Sequence, residues 1–410
     1  MKSVAIIGGG ASGVMAAIRL KEINKKIKIT IFEREARILN KVYRSGNGRA
    51  NFGNIDIKES YYTNVDLVFN MKEYLKKNQL EDSNEFLENR GLLTYTDQEG
   101  RLYPLSNESK SLVAMLEYLL FFNHVLVLTN KNITEIEKIG NKYFVLDSLY
   151  DYVILATGSN AGLPVKTELQ YELINNMGLE TTNLEQGLVG FKLHNDLDGL
   201  FGLKAKASLE MSSYKSYGEV IFKEDGMSGI CLMNLSNYYR PDIQEIIVNF
   251  MPDYDLEEIL EIVNQKKKLD PNIRLYNLLI GSVSQKLLNY INKKYENLPV
   301  TQLSDEKILN YILEFMQFKL SIKEKYNIEN SQVIIGGIDN LDFFKVPNWP
   351  NVYATGELNN NAGVCGGYNL WFAFTSGLIV ADMVGKEIES WFTYAFDLFG
   401  WSRYGFWFIR

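Results

Sequence analysis

The hydrophobic pattern at the start of the chain predicts a strand, a helix and a second strand in immediate succession. Val4–Ile7 is a continuous apolar run typical of a buried strand, and Val14–Leu20 has apolar residues at helical spacing. A second run, Ile27–Phe32, predicts the next strand. The chain therefore opens with a strand–helix–strand unit.

Apolar strands return near the middle and near the end of the chain. Residues 131–157 have the pattern of a small antiparallel meander whose last strand leads into Ala156-Thr157-Gly158, where it can join the first sheet. Val333–Ile338 and Val352–Thr355 predict further strands, followed by a long apolar helix within 367–385. These patterns predict an α/β protein with a discontinuous Rossmann-type domain formed from both ends of the chain.

The pattern changes between these two parts. Short alternating strands are expected in 186–240 and helices with one polar face in 241–332. We therefore predict a first domain over 1–185 and 333–389, a second domain inserted into it over 186–332, with strands in 186–240 and helices in 241–332, and an aromatic-rich tail over 390–410.

The turn between the first strand and helix contains the spacing G-x-G-x-x-G. Gly8 permits the tight turn, Gly10 allows the backbone to approach a pyrophosphate, and Gly13 allows close packing of helix on strand. Backbone N–H groups at the start of the helix, from Ala11 and Ser12, then face the phosphates. Glu33 follows the second strand and can accept the hydroxyls of an adenosine ribose. This stretch predicts a site for an adenine dinucleotide.

A second loop, residues 41–54, is rich in glycine, cations and amides. Its residue types suit either a surface turn or a loop that holds an anion or cofactor, with Lys41 and Arg49 supplying charge and Gly48 close approach. Composition alone leaves these two interpretations open.

Composition adds several exclusions. The 410 residues are 46% hydrophobic and 23% charged with a net charge of −7, which argues against a nucleic-acid-binding scaffold. Cys231 and Cys365 are far apart, so a disulfide framework and a zinc site are not expected, and reduced thiols suit the cytoplasm. The apolar stretch within 367–385 contains polar residues and lacks basic flanks, which favours a buried helix over a membrane span. The aromatic tail is expected to pack or to form a homo-oligomer.

Four blocks in order resemble one family of FAD-dependent oxidoreductases, which includes the aminoacetone oxidases and the BaiN-like flavoproteins. The blocks are GGGASG with Glu33, KVYRSGNGRANFGN, GEVIFKEDGMSG and ATGELNNNAGVCGGYNLWFAFTSG. The second usually reads close to S-G-G-G-R-C-N, so Asn47 replaces a glycine and Ala50 a cysteine. The resemblance spans residues 1 to about 385 and does not include the tail.

The resemblance implies that the domain inserted over 186–332 is a β-barrel-like and helical substrate or cap domain. It also implies FAD as the cofactor and a set of residues that hold it. Glu357 would contact the ribityl chain, and Gly367, Tyr368 and Asn369 would open a helix directed at the flavin ring, where a helix N-terminus stabilises negative charge. Tyr368 is also the candidate catalytic residue. The remaining cofactor-binding residues implied are Gly8, Gly10, Ala11, Ser12, Gly13, Glu33, Arg34, Lys41, Gly48, Arg49, Asn51, Thr157, Gly158 and Gly356.

Several functions are compatible with these residues. The leading hypothesis is hydride transfer between a small organic substrate and bound flavin, as in an aminoacetone-type amine oxidase that produces peroxide. The alternative is a reductase of activated C=C bonds, such as steroid or bile-acid-like enones, with NADH or NADPH as a dissociable electron donor. No second G-x-G-x-x-G follows a strand, which slightly favours the oxidase. An RNA-modifying flavoprotein and a flavin redox sensor without turnover are hypotheses of another class.

Overall fold

The structure is a computed structural model that describes residues 1–162 and 171–398, with side chains up to Ser390. Its strands are β1 (Ser3–Ile7), β2 (Lys28–Phe32), β3 (Gly53–Asn54), β4 (Thr94–Thr96), β5 (Arg101–Pro104), β6 (Leu126–Leu128), β7 (Glu137–Ile139), β8 (Lys142–Val145), β9 (Ser148–Tyr150), β10 (Tyr152–Leu155), β11 (Glu185–Gly187), β12 (Phe191–Leu193), β13 (Lys204–Met211), β14 (Tyr214–Phe222), β15 (Gly226–Ser228), β16 (Glu245–Asn249), β17 (Phe318–Lys325), β18 (Val333–Ile335) and β19 (Val352–Ala354). Its helices are α1 (Ala11–Ile23), α2 (Asn40–Arg44), α3 (Val65–Asn78), α4 (Ser83–Asn89), α5 (Ser109–Phe122), α6 (Glu172–Asn176), α7 (Ile230–Ser236), α8 (Leu256–Leu269), α9 (Gln285–Asn292), α10 (Asp305–Met316) and α11 (Tyr368–Leu398).

The chain divides into two compact units. The first contains the described residues within 1–160, 165–185 and 334–410, and the second those within 161–164 and 186–333. The prediction that the aromatic tail forms an oligomer falls on side chains outside the described residues. Among the described helices, none combines the length and the apolar character needed to cross a bilayer.

The first unit is built on a parallel sheet of order β19-β10-β1-β2-β6. Alternate residues of β1 belong to two hydrophobic clusters, with Val4 and Ile6 in one and Ala5 and Ile7 in the other. A strand buried on both faces explains why β1 reads as a continuous apolar run. Because β19 comes from the C-terminal part of the chain, the Rossmann-type sheet is discontinuous, as predicted.

Helices α1 and α11 cross closely at glycine. A Cβ on Gly377 of α11 would lie only 2.3 Å from the carbonyl oxygen of Ser12 in α1. This contact fixes the start of α1, and with it the glycine loop, against the helix that begins at Tyr368.

The second unit contains a closed antiparallel barrel of order β12-β15-β14-β13-β16-β17, accompanied by α7 to α10. Two of its strands, β16 and β17, lie within 241–332, where only helices were expected. In β17, Phe318, Leu320 and Ile322 are buried in alternation with exposed residues, the period of a half-buried strand. The helix α10 before it ends at Met316, so the helical segment stops two residues before β17 begins. Conversely, the apolar run after Gly229, within a segment expected to form strands, is the helix α7.

Candidate cofactor-binding site

The three glycines of the loop after β1 are under different constraints. Gly8 has a φ of +111°, and a Cβ there would lie 2.3 Å from the carbonyl oxygen of Ala156. A Cβ on Gly13 would lie 2.2 Å from the carbonyl oxygen of Gly8, so α1 can pack on β1 only with glycine here. A Cβ on Gly10 would have no heavy atom within 4 Å, and φ is −80°. Packing within the protein therefore explains Gly8 and Gly13 but not Gly10.

The space beside Gly10 lies at the N-terminus of α1. No side chain caps this helix, which begins at Ala11, so its first backbone N–H groups lack intrahelical partners. Ser12 is buried on the other side, where a Cβ on Gly356 would lie 2.7 Å from its Oγ. An open position next to unpaired N–H donors fits a diphosphate.

The Glu33 carboxylate lies beside the same loop. Its Oε2 accepts the N–H of Gly9 and its Oε1 accepts the N–H of Glu35, both at 2.8 Å. Burial raises the pKa of Glu33, while these two backbone hydrogen bonds act in the opposite direction. A carboxylate has about four acceptor positions, so lone pairs remain for the hydroxyls of a ribose. The neighbouring Arg34 donates from Nε to Glu35 at 3.1 Å.

The loop after β10 lies against the glycine loop. A Cβ on Gly8 would lie 3.0 Å from the Cα of Thr157, and Gly158 has a φ of +69°. The next residue, Ser159, is fully buried and donates from Oγ to Glu357 Oε2 at 3.0 Å. The ends of β1 and β10 therefore bring these two predicted segments together.

Lys41, Ser159 and Glu357 form a polar network that joins three distant parts of the chain. Lys41 Nζ lies 2.7 Å from Glu357 Oε2 and 3.1 Å from Ser159 Oγ. The Glu357 side chain is 17% exposed and that of Lys41 40%. Lys41 and Glu357 were predicted from sequence, whereas Ser159 was missed, although it follows directly after Thr157-Gly158 in a predicted loop.

The second loop takes a left-handed backbone at four positions. Gly46, Asn47, Gly48 and Ala50 have φ values of +56°, +55°, +81° and +55°. Asparagine is among the few residue types other than glycine that adopt this conformation readily. The replacement of glycine by Asn47 therefore keeps a backbone that glycine would also adopt.

Arg49 extends from this loop towards an aromatic ring. Its guanidinium carbon lies 5.0 Å from the centre of the Tyr103 ring, a cation–π distance, and its Nε donates to the carbonyl of Gly46 at 3.3 Å. The residue is exposed, and its position leaves the guanidinium accessible to an anion.

Asn51 connects the second loop to the start of α11. With its amide oriented to satisfy both neighbours, its oxygen accepts the N–H of Gly367 at 3.0 Å and its nitrogen donates to the carbonyls of Gly53 and Leu102. A Cβ on Gly367 would lie 2.1 Å from the carbonyl oxygen of Gly53. Asn51 and Gly367 therefore hold the two predicted loops together through their own contacts.

Asn369 also makes its hydrogen bonds within the protein. Its Oδ1 accepts the N–H of Gly363 at 2.8 Å, and its Nδ2 donates to the carbonyls of Gly363 at 3.0 Å and Val364 at 3.4 Å. The side chain thus braces the loop before α11. Any contribution of Asn369 to a ligand would come from its backbone at the helix start.

Tyr368, the first residue of α11, is packed between two tyrosines. Its ring centre lies 5.0 Å from that of Tyr61 and 6.1 Å from that of Tyr62, whose hydroxyl donates to the Tyr368 carbonyl at 3.0 Å. Burial raises the pKa of Tyr368 to about 12. Near neutral pH its phenol is therefore protonated, which makes it a proton donor and not a base.

Comparison with known proteins identifies the family. The family model described as the HI0933-like protein Rossmann domain matches residues 2–383. The chain belongs to the HI0933-like family. This is a family of flavin-dependent oxidoreductases, so the chain is an enzyme of that kind and the resemblance found in the four sequence blocks is confirmed.

Two relatives of this HI0933-like chain match over nearly their whole length. A 3-dehydro-bile acid delta(4,6)-reductase from Clostridium scindens is 27% identical to this chain, and the alignment covers 94% of this chain and 100% of the reductase. A ribosomal RNA dihydrouridine synthase from Haemophilus influenzae is 23% identical to this chain, and the alignment covers 93% of this chain and 98% of the synthase. Among solved structures, a flavocytochrome c3 fumarate reductase has a TM-score of 0.43 and 11% identity over 94% of this chain and 78% of that chain, which is too low to support a functional argument.

Proposed function

We propose that this HI0933-like protein binds FAD and reduces a C=C bond conjugated to a carbonyl in a small organic substrate. The observation that carries the cofactor assignment is the open position at Gly10, beside the uncapped N-terminus of α1 and the Glu33 carboxylate. Glycine loops that follow the carboxyl end of a parallel strand are the usual dinucleotide sites of such sheets.

The chain's own residues would divide the cofactor between them. Gly10 and the first N–H groups of α1 would hold the diphosphate, Glu33 the adenosine ribose, and Glu357 the ribityl chain. The N-terminus of α11 would lie at the flavin ring, where its dipole favours negative charge. When bound, the flavin supplies the hydride that the reaction requires.

Saturation of a C=C bond also requires one proton at the neighbouring carbon. Tyr368 is the candidate donor because its phenol stays protonated and because it is the first residue of α11, the helix end assigned to the flavin ring. The Tyr62 hydroxyl is already donated to the Tyr368 carbonyl, so it holds the backbone of the donor in place.

The names of the two relatives favour reduction over oxidation. A delta(4,6)-reductase of a 3-dehydro-bile acid and a dihydrouridine synthase both describe the saturation of a C=C bond conjugated to a carbonyl. Neither name describes an amine oxidase. We therefore prefer a reductase to a peroxide-producing oxidase, although the absence of a second G-x-G-x-x-G sequence after a strand slightly favoured the oxidase.

A uridine base in RNA is a second candidate substrate, because one relative is named for that modification. The net charge of −7 makes the approach of a polyanion unfavourable, since RNA binding gains most of its affinity from cationic side chains. We therefore rank a small enone above RNA.

The test is anaerobic reduction followed by reoxidation. Purified protein loaded with FAD is mixed with NADH or NADPH, and bleaching of the visible flavin absorbance is recorded. A 3-oxo-4-ene steroid or unmodified ribosomal RNA is then added without oxygen. We expect a nicotinamide to bleach the flavin and the enone to restore its colour with formation of the saturated product.

Three other results would be informative. Reoxidation by RNA alone, with dihydrouridine detected by mass spectrometry, would replace the small substrate by RNA. Bleaching by an amine, followed by peroxide release in air, would overturn the reductase in favour of an oxidase. Reduction without reoxidation by any acceptor would indicate a redox sensor. Wild-type protein from which the flavin has been removed is the control for chemistry that does not need bound flavin.

A further inference from the structure

Tyr171 carries a buried hydroxyl that has no hydrogen-bond partner in the described part of the chain. The residue is only 8% exposed, and its OH makes no hydrogen bond to any residue within 1–162 or 171–398. A buried hydroxyl without a partner costs about 1–3 kcal/mol, so native proteins rarely keep one without a reason.

The ring of Tyr171 lies in a buried cluster next to the loops of the candidate site. Tyr171 belongs to the buried cluster that contains Ile7, Leu155 and Leu358. These residues directly precede Gly8, end β10 and follow Glu357, so the cluster lies beneath the loops of the candidate site. Burial raises the pKa of Tyr171 above its usual value, and the negative charge of Glu357 acts in the same direction. The phenol therefore remains a neutral hydrogen-bonding group close to Glu357.

Two more buried oxygen atoms have no hydrogen-bond partner among the described residues, and both belong to sequence neighbours of this group. They are Oδ1 of Asn160, which follows Ser159, and Oε2 of Glu172, which follows Tyr171. A ligand that reached all three groups would have to offer O–H donors to the two oxygen atoms and an acceptor to the Tyr171 hydroxyl. A phosphate offers only acceptors, and the carboxylates of Glu172 and Glu357 would repel it. A chain of hydroxyl groups can donate to the two oxygen atoms and also accept from the Tyr171 hydroxyl.

We propose that Tyr171 is a positioning residue for the sugar-alcohol chain of the bound flavin, which its hydroxyl contacts beside Glu357. This inference rests on the proposed function, because it requires that FAD binds at this site. Tyr171 acts here by orienting the chain that links the flavin ring to the diphosphate.

The proposal predicts opposite effects on the free and the loaded protein. Tyr171→Phe removes a polar group that has no partner, so the flavin-free protein should unfold at the same or a higher urea concentration. The same change removes one hydrogen bond to FAD, so the dissociation constant of FAD should rise about three- to tenfold. The affinity for ADP, which lacks the sugar-alcohol chain of the flavin, should not change.

Tyr143→Phe is the matched control. The Tyr143 hydroxyl is also on a buried ring, but it donates to the carbonyl of Pro350. Its removal should lower the stability of the flavin-free protein and leave FAD affinity unchanged. Both variants can be measured by urea unfolding and by the quenching of flavin fluorescence on binding.

The outcomes separate this inference from the proposed function. If wild-type protein binds neither FAD nor ADP, the proposed function fails, and this inference fails with it. If wild type binds FAD but Tyr171→Phe binds it equally well, or if the variant is less stable without flavin or does not fold, only the role of Tyr171 is overturned. Equal losses of FAD and ADP affinity would also contradict a contact with the sugar-alcohol chain.

Discussion

Alanine substitutions at Gly8, Gly10 and Gly13 of the G-x-G-x-x-G loop should separate the requirements of folding from those of ligand binding. Gly10→Ala places a methyl group where no heavy atom lies within 4 Å and where φ of −80° suits any residue. Gly13→Ala places it 2.2 Å from the carbonyl oxygen of Gly8, and Gly8→Ala places it 2.3 Å from that of Ala156 at a φ of +111°. The three changes are chemically identical and differ only in their surroundings.

The expected magnitudes follow from these distances. Gly10→Ala should change the free energy of unfolding of the flavin-free protein by no more than about 0.5 kcal/mol, because the backbone is already in an allowed conformation. Gly13→Ala should lower it by about 1–3 kcal/mol, since helix and strand must move apart. Gly8→Ala should lower it further, because left-handed strain adds about 1–2 kcal/mol to the clash.

The effects of these substitutions on FAD binding should not follow their effects on stability. In Gly10→Ala the methyl group stands between the loop and the diphosphate, so N–H donors lose contact with charged oxygen atoms. Each hydrogen bond to a charged group contributes about 1.5–3 kcal/mol, which corresponds to a rise of about 10- to 100-fold in the FAD dissociation constant. Urea unfolding without flavin and fluorescence titration with FAD measure the two quantities. A Gly10→Ala variant that binds FAD as tightly as wild type would refute the assignment of this loop to the diphosphate.

Three further changes test individual parts of the site. Asn369→Ala should lower the free energy of unfolding by about 1–3 kcal/mol in urea, because Gly363 and Val364 lose their side-chain partner; an unchanged midpoint would show that the brace is dispensable. Asn47→Ala should lower the free energy of unfolding by about 1 kcal/mol, because φ at this position is +55°, whereas Asn47→Gly should not lower it. Equal melting temperatures of the two variants would contradict this. Burial raises the pKa of Cys365 to about 12 although the residue is partly exposed, so at pH 8 a thiol reagent should label it more slowly in the native than in the unfolded protein. Equal labelling rates in the two states would contradict this.

Local patterns were sufficient to predict the parallel sheet and the glycine loop. β1 is buried on both faces and therefore has an uninterrupted apolar sequence, and Gly13 is required by its close approach to Gly8, only five residues earlier. The barrel was harder to predict from sequence. Its β17 starts two residues after α10 ends, and apolar residues continue across the junction, so the helical pattern masked the change to a period of two.

The site shows a different limit of sequence reasoning. Residue types indicate which side chains can bind a ligand, but not which of them are already occupied within the protein. The side chains of Asn51 and Asn369 satisfy their amides on nearby backbone groups, and this places them among the supports of the site.

Tyr171 differs from these asparagines, because its sequence context does not indicate a role, yet its buried hydroxyl has no hydrogen-bond partner among the residues that the structure describes. Gly10 likewise has open space where neighbouring glycines have contacts. A ligand is the simplest source of what these two positions lack, since packing leaves room for a side chain at Gly10 and folding alone would favour phenylalanine at Tyr171. The residues that the fold itself does not need are therefore the ones on which substitutions should most clearly report cofactor binding.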